Sequence, residues 1–136
     1  MFQGAISYEN FVNLTGQEIR VLEVTAAEFT SNHFKARKQH VTGLADFPPG
    51  ERKAYFTEVT EEAKGFPKGC RDVVAAQIAG LPPPTPGTFF IVSEAILHAA
   101  SIKGCRPDLF KPGPAVIDTE CGKVLGYCGL SRLVES

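Results

Sequence analysis

Apolar positions along this chain come in short runs rather than long periodic stretches. Phe11 to Leu14 is a brief apolar segment, and Thr15-Gly16 reads as a turn. From Glu18 to Val24 the residues alternate. Ile19 and Val21 share one face, and Arg20, Leu22 and Val24 the other, which is the period of a strand. Together the two segments predict a β-hairpin around Thr15-Gly16-Gln17. Thr25-Ala26-Ala27-Glu28 has the hydroxyl-to-glutamate spacing of a capping box and predicts the start of a short helix. After the turn signal Pro48-Pro49-Gly50, Lys53 to Val59 alternates again and predicts a strand. Glu61, Glu62 and Lys64 form a polar link closed by Gly65 and Pro67. Val73 to Ala79 is apolar and predicts a buried strand that ends at Gly80.

Leu81-Pro82-Pro83-Pro84-Thr85-Pro86-Gly87 is stiff, because each proline fixes its own φ and restricts its predecessor. Its place between two core elements favours a rigid connector over a polyproline ligand. Thr88 to Val92 has the composition of a central strand. Glu94 to about Ile102 predicts a helix with apolar residues nearly all round, packed on more than one side, with Gly104 as its C-terminal cap. Arg106 to Pro114 reads as a proline-bounded loop. Ala115 to Thr119 and Lys123 to Leu130 predict a hairpin turning at Glu120-Cys121-Gly122, where Gly122 supplies positive φ. The sum is six or seven strands, mostly in hairpins, with one principal helix. That is an α+β fold, a small, mostly antiparallel sheet or partial barrel, in a single domain spanning residues 1–136.

Composition narrows the function. The 136 residues suit one domain with a real core. A net charge of -1 gives no general pull toward nucleic acid or an anionic membrane surface. No apolar run approaches the roughly 20 residues of a membrane span. The first residues lack the basic start and apolar core of a secretory signal, so the expected location is the cytoplasm. The four cysteines, Cys70, Cys105, Cys121 and Cys128, form no C-x-x-C pair and are expected as reduced thiols.

Chemistry-bearing residues are few. Ser93 lies between a strand and a helix, but its neighbours Ile91 and Ala95 lack the small residues a nucleophile elbow needs. His98 lies further along the same helix and points elsewhere. Ser93 therefore reads as a helix cap, and secondly as an anion contact at the positive end of the helix. Arg106 can grip a carboxylate or phosphate with a two-pronged fork, and Asp108 can hold that arginine or bind a ligand hydroxyl. The plainer reading is a pair that stabilises the loop. Asn13 and Thr15 favour turn stabilisation over ligand contact. Lys35, Arg37 and Lys38, beside His33 and His40, form a small basic cluster on a solvated face or a contact surface. No catalytic residue, metal set or cofactor is assigned.

Several segments taken together resemble a family of small, mostly uncharacterised phage and bacterial proteins. They are Phe11-Val12-Asn13-Leu14-Thr15; Phe47-Pro48-Pro49-Gly50; Gly80-Leu81-Pro82 with Pro84, Pro86 and Gly87; Phe89-Phe90-Ile91-Val92-Ser93; Arg106 and Asp108; and Gly126 with Gly129-Leu130. The chain departs from the pattern at Cys121 and in the segment from Ala26 to Asp46. The resemblance implies no reaction; it marks Asn13, Thr15, Ser93, Arg106 and Asp108 as the best-matched candidates for a polar pocket. The first expectation is a small cytoplasmic, non-catalytic binding protein of phage or bacterial accessory type. It would hold a small anionic or nucleotide-like ligand near Ser93 with help from Arg106. The alternatives are a protein-interaction module, acting through a sheet edge or the Lys35 to His40 segment, and a nucleotide- or phosphate-processing enzyme. Self-association into a homo-oligomer is expected, since a small sheet with several edges gains from pairing them.

Overall fold

A computed structural model describes residues 6–102 and 106–133. Along them run β1 (Phe11–Asn13), β2 (Ile19–Val24), β3 (Glu28–Thr30), β4 (His33–Ala36), β5 (Val41–Phe47), β6 (Tyr55–Glu62), β7 (Arg71–Ala79) and β8 (Phe89–Ile91). Then come α1 (Glu94–Ile102), β9 (Leu109–Pro112), β10 (Ala115–Asp118), β11 (Val124–Cys128) and β12 (Leu130–Ser131). Single 3-10 turns occupy Tyr8–Asn10 and Lys38–His40. The predicted Gly104 cap, and Cys105 with it, lies outside the described residues.

The strands form a four-stranded sheet in the order β1-β8-β9-β12, a six-stranded sheet in the order β3-β4-β10-β11-β2-β5, and a ribbon of β6 and β7. The class is α+β, but the sheets are open and mixed rather than mainly antiparallel. Four pairings are parallel: β1 with β8, β8 with β9, β4 with β10, and β11 with β2. Alternation along a strand says which faces are buried and nothing about the partner's direction, so the parallel pairings between distant segments were not visible in it.

Three local expectations are corrected for related reasons. The hairpin around Thr15-Gly16-Gln17 does not form, because β1 runs parallel to β8 while β2 joins β11 and β5 in the other sheet. The helix expected from Thr25 is replaced by β3, which pairs with β4. The Thr25 hydroxyl that would have capped it donates instead to the His40 carbonyl at 3.1 Å, and Phe29 packs on Phe34. The segment from Arg106 to Pro114 contains β9, held by backbone bonds from Phe90 N to Asp108 O and from Val92 N to Phe110 O. Its proline, Pro112, is the strand's last residue, where a missing N–H costs little.

The core lies in layers. One side of α1 packs on the four-stranded sheet, joining Ile96, Leu97 and Ala100 to Phe90, Val92, Leu109 and Leu14. Ala95, His98 and Ser101 are exposed, so the helix is covered on one side, not on several. Ile91 faces the six-stranded sheet and meets Ile19, Val21 and Phe47. That sheet curls, and Ala36 of β4 and Val41 of β5, which are not neighbours in it, share one cluster with Leu22 and Val116. No helix among the described residues is long and apolar enough to cross a membrane.

The β6-β7 ribbon stands apart. Its register runs from Tyr55↔Ala79 at the base to Glu62↔Arg71 near the tip. At the base, Ile78 packs against the helix-side core, beside buried Ala54 just before the ribbon. Val73 and Val74, expected in a buried strand, are exposed. Gly80 closes the base with φ +80°, and a Cβ there would collide with the Lys53 carbonyl oxygen. Gly80→Ala should therefore destabilise the fold, by about 1–2 kcal/mol for the left-handed conformation alone. The check is a lower urea midpoint at unchanged slope.

Candidate functional site

Parallel β1, β8 and β9 bring their C-terminal ends to one rim. Leu14 N, just past β1, donates to Ile91 O at 2.8 Å, which sets Asn13 beside the end of β8. The Asn13 side chain is buried. Its Nδ2 donates to the carbonyls of Gln17 at 2.6 Å and of Phe47 and Pro48 at 3.2 Å each. Its Oδ1 accepts from Thr15 N at 3.0 Å and from the Thr15 hydroxyl at 2.6 Å. That hydroxyl in turn accepts from Gln17 N. Asn13 and Thr15 thus hold a turn, and Asn13 also ties it to the end of β5.

Ser93 follows β8 at the same rim. Its Oγ accepts from Ile96 N at 3.3 Å, and its carbonyl accepts from Leu97 N. It caps α1. Beside it, Glu94 Oε1 accepts from Lys111 Nζ at 2.9 Å, with His98 Nε2 at 3.7 Å. The Lys111 ammonium holds the Glu94 carboxyl below the usual range. Sequence reasoning missed this Glu94-Lys111 pair, because Lys111 lay in a segment read as a loop.

Arg106 and Asp108 form a two-pronged pair, Nε to Oδ1 at 2.9 Å and Nη2 to Oδ2 at 2.8 Å. Arg106 Nη2 also donates to Pro82 O at 3.0 Å. The bond to Asp108 raises the arginine's already high pKa. The pair staples the proline-rich connector to the start of β9. Ser93, by contrast, lies past the end of β8, level with the end of β9. At ~3.3 Å per residue Asp108 and Ser93 are separated by about the length of that strand, ~13 Å. Of the five residues singled out in the sequence, Asn13, Thr15 and Ser93 come to one rim, and Arg106 and Asp108 to the other end.

A second polar knot closes the β10-β11 turn. Asp118 is buried. It accepts from Glu120 N at 2.9 Å and from the Cys121 thiol at 3.3 Å, with Lys38 Nζ at 4.0 Å. The Glu120 N–H is the main cause holding its carboxyl below the usual range. Cys121 is exposed at the turn and Cys128 half-buried in the returning strand, where the pattern put them. Lys35, Arg37 and Lys38 are exposed on β4 and the 3-10 turn after it. Among the described residues, no three His, Cys, Asp or Glu side chains gather as a metal site.

The ribbon is a different kind of surface. Tyr55, Phe56, Val59, Phe66, Val73 and Val74 are between 38% and 67% exposed. Together they show water on the order of 500 Å² of apolar side chain. Alternation puts Tyr55, Thr57 and Val59 on one face with Ala75, Gln77 and Ala79, while Phe56 and Ile78 take the other. An apolar strand run was legible in the sequence; that Val73 and Val74 at its outer end are exposed was not.

Comparison with protein-family models, with curated proteins and with solved structures finds no match.

Asn13→Ala strips three carbonyls and the Thr15 donors of their shared partner, and should cost about 2–3 kcal/mol of stability, measured by chemical denaturation. Asp118 has a depressed folded-state pKa. It stabilises the fold above the unfolded value of about 3.9, and that contribution is lost as pH falls through the folded value. The stability advantage of wild type over Asp118→Asn should therefore shrink as pH falls below about 4, read as converging urea midpoints.

Proposed function

We propose that this chain is a non-catalytic interaction protein that self-associates through the β6-β7 ribbon. The carrying observation is a long arm, roughly 25 Å at the usual rise per residue, that exposes aromatic and β-branched side chains away from the core. A two-stranded ribbon is marginal in water and gains stability when further strands or a packed surface join it. The largest apolar patch on a monomer is often functional. The polar candidates support the same reading. Asn13, Thr15, Arg106 and Asp108 make their side-chain hydrogen bonds inside the chain, and Ser93 Oγ accepts from Ile96 N. Their segments are also the ones that carry the resemblance to small phage and bacterial proteins, so an accessory role is adopted with the resemblance.

Native mass spectrometry with sedimentation tests the reading. Wild type should assemble at micromolar concentration. The double substitution Val59→Asn with Val74→Asn should shift it to monomer while leaving the thermal midpoint close to wild type, since both side chains are exposed. A wild-type chain that stays monomeric overturns the proposal. A retained non-protein mass on that monomer would bring the small-anion reading forward in its place.

A further inference from the structure

We infer that two copies join through the outer edge of β7, antiparallel about a two-fold axis, to build one continuous sheet in the order β6-β7-β7-β6. This rests on the self-association proposed above and adds which edge is used and how the assembly closes. The distribution of charge decides the edge. β6 carries exposed Glu58, Glu61 and Glu62. Antiparallel pairing of β6 with itself centred on Glu58 or on Thr60 would bring carboxylates into facing positions, and like charges across a pair of strands are destabilising. β7 carries no charged residue from Val73 to Ala79, and its Arg71 and Asp72 lie at the tip end, far from a two-fold axis at Gln77. Charges and irregularities are how edge strands are kept from pairing. β6 is guarded by its charges, whereas β7 has no charge from Val73 to Ala79 and a single bulge, at Val74.

The bulge of β7 leaves its inner half regular. The ribbon's register shift leaves Val74 as the extra residue of β7, so Ala75 to Ala79 runs on without interruption. Gln77 is the middle of that stretch. The other sheet edges fit less well. β1, β3 and β12 have three residues or fewer. β5 has seven, but the shift at Leu44 breaks it near the middle. The arrangement also stops itself. A two-fold pairing uses the same patch on both copies and closes at two, and it leaves the acidic β6 strands as the outer edges of the new sheet.

Gln77 and Thr57 are register partners on one face of the ribbon, so a charge at either sits at the same height, nearer one edge or the other. Dimer affinity is measured by sedimentation for Gln77→Lys, Gln77→Glu and Thr57→Lys, with thermal midpoints as the folding control. Each Gln77 variant alone should weaken the dimer about tenfold or more through facing like charges. An equimolar mixture of the two should restore wild-type affinity, which an unfolded variant could not do. Thr57→Lys should stay within about twofold of wild type. If Thr57→Lys weakens assembly as much as Gln77→Lys and mixing restores nothing, the β7 pairing is overturned. In that case the arm reading survives provided Val59→Asn with Val74→Asn still dissociates the assembly. If that double substitution also leaves assembly intact, both fail.

Discussion

The arrangement of the sheets depends on one buried amide. Asn13 stands where the chain leaves the four-stranded sheet for the six-stranded one, and its side chain reaches back to where β5 ends. Its two amide hydrogens serve three carbonyls, and its oxygen takes both donors of Thr15. Each of those groups sits near a change of direction, at or beyond the end of its strand. A buried carbonyl left without a donor costs more than an ordinary hydrogen bond is worth. One side chain therefore fixes the crossing from β1 to β2 and the exit from β5 together. The root of the ribbon is tied to the same place: Ala54 N donates to Leu14 O at 2.9 Å, and Gly50 lies against the Asn13 carbonyl.

Elements whose cause is local were legible in the sequence. The helix Glu94–Ile102 was read from its apolar run and a serine before it, and Ser93 does accept from Ile96 N. The β10-β11 turn was read from Gly122, which has φ +75°. The Asn13-Thr15 turn was read from side chains that bond nearby backbone, yet the more consequential acceptors, Phe47 and Pro48, are distant in the chain and left no local mark. The same is true of the parallel pairings. β1 meets β8 across the whole span between Phe11 and Phe89, and no short-range pattern encodes that. At Thr25 a local signal was present and lost, because Glu28–Thr30 pairs with β4 and the hydroxyl donates to the carbonyl of His40 in the 3-10 turn before β5. Arg106 and Asp108 were named for ligand chemistry, with a loop pair as the plainer role; Pro82, their third partner, shows that the staple reaches the connector.

The run Val73–Ala79 carries the most instructive ambiguity. An apolar strand reads the same whether it is covered by its own core or by something else. What separates the cases is the sequence beside it. A strand inside a sheet needs no guard, and an exposed edge normally carries one. Here Glu58, Glu61 and Glu62 guard one edge of the ribbon while the other has no charge over seven consecutive residues. Uniform poverty of charge would suit a core strand, and uniform charge a solvated hairpin. The asymmetry suits a ribbon with one edge meant for water and one for a partner.

The base of the arm connects this asymmetry to the Asn13 knot. Association costs the freedom of whatever must be ordered when the partners meet. A ribbon swinging on a loose tether would lose much of its pairing energy to that cost. This one leaves the body between Ala54, packed in the helix-side core and bonded to Leu14, and Gly80, whose missing side chain lets the chain lie against Lys53. The polar network that sets the sheets therefore also sets the direction of the arm. On the reading proposed above, Asn13 and Thr15 serve as the footing of a contact surface they never touch.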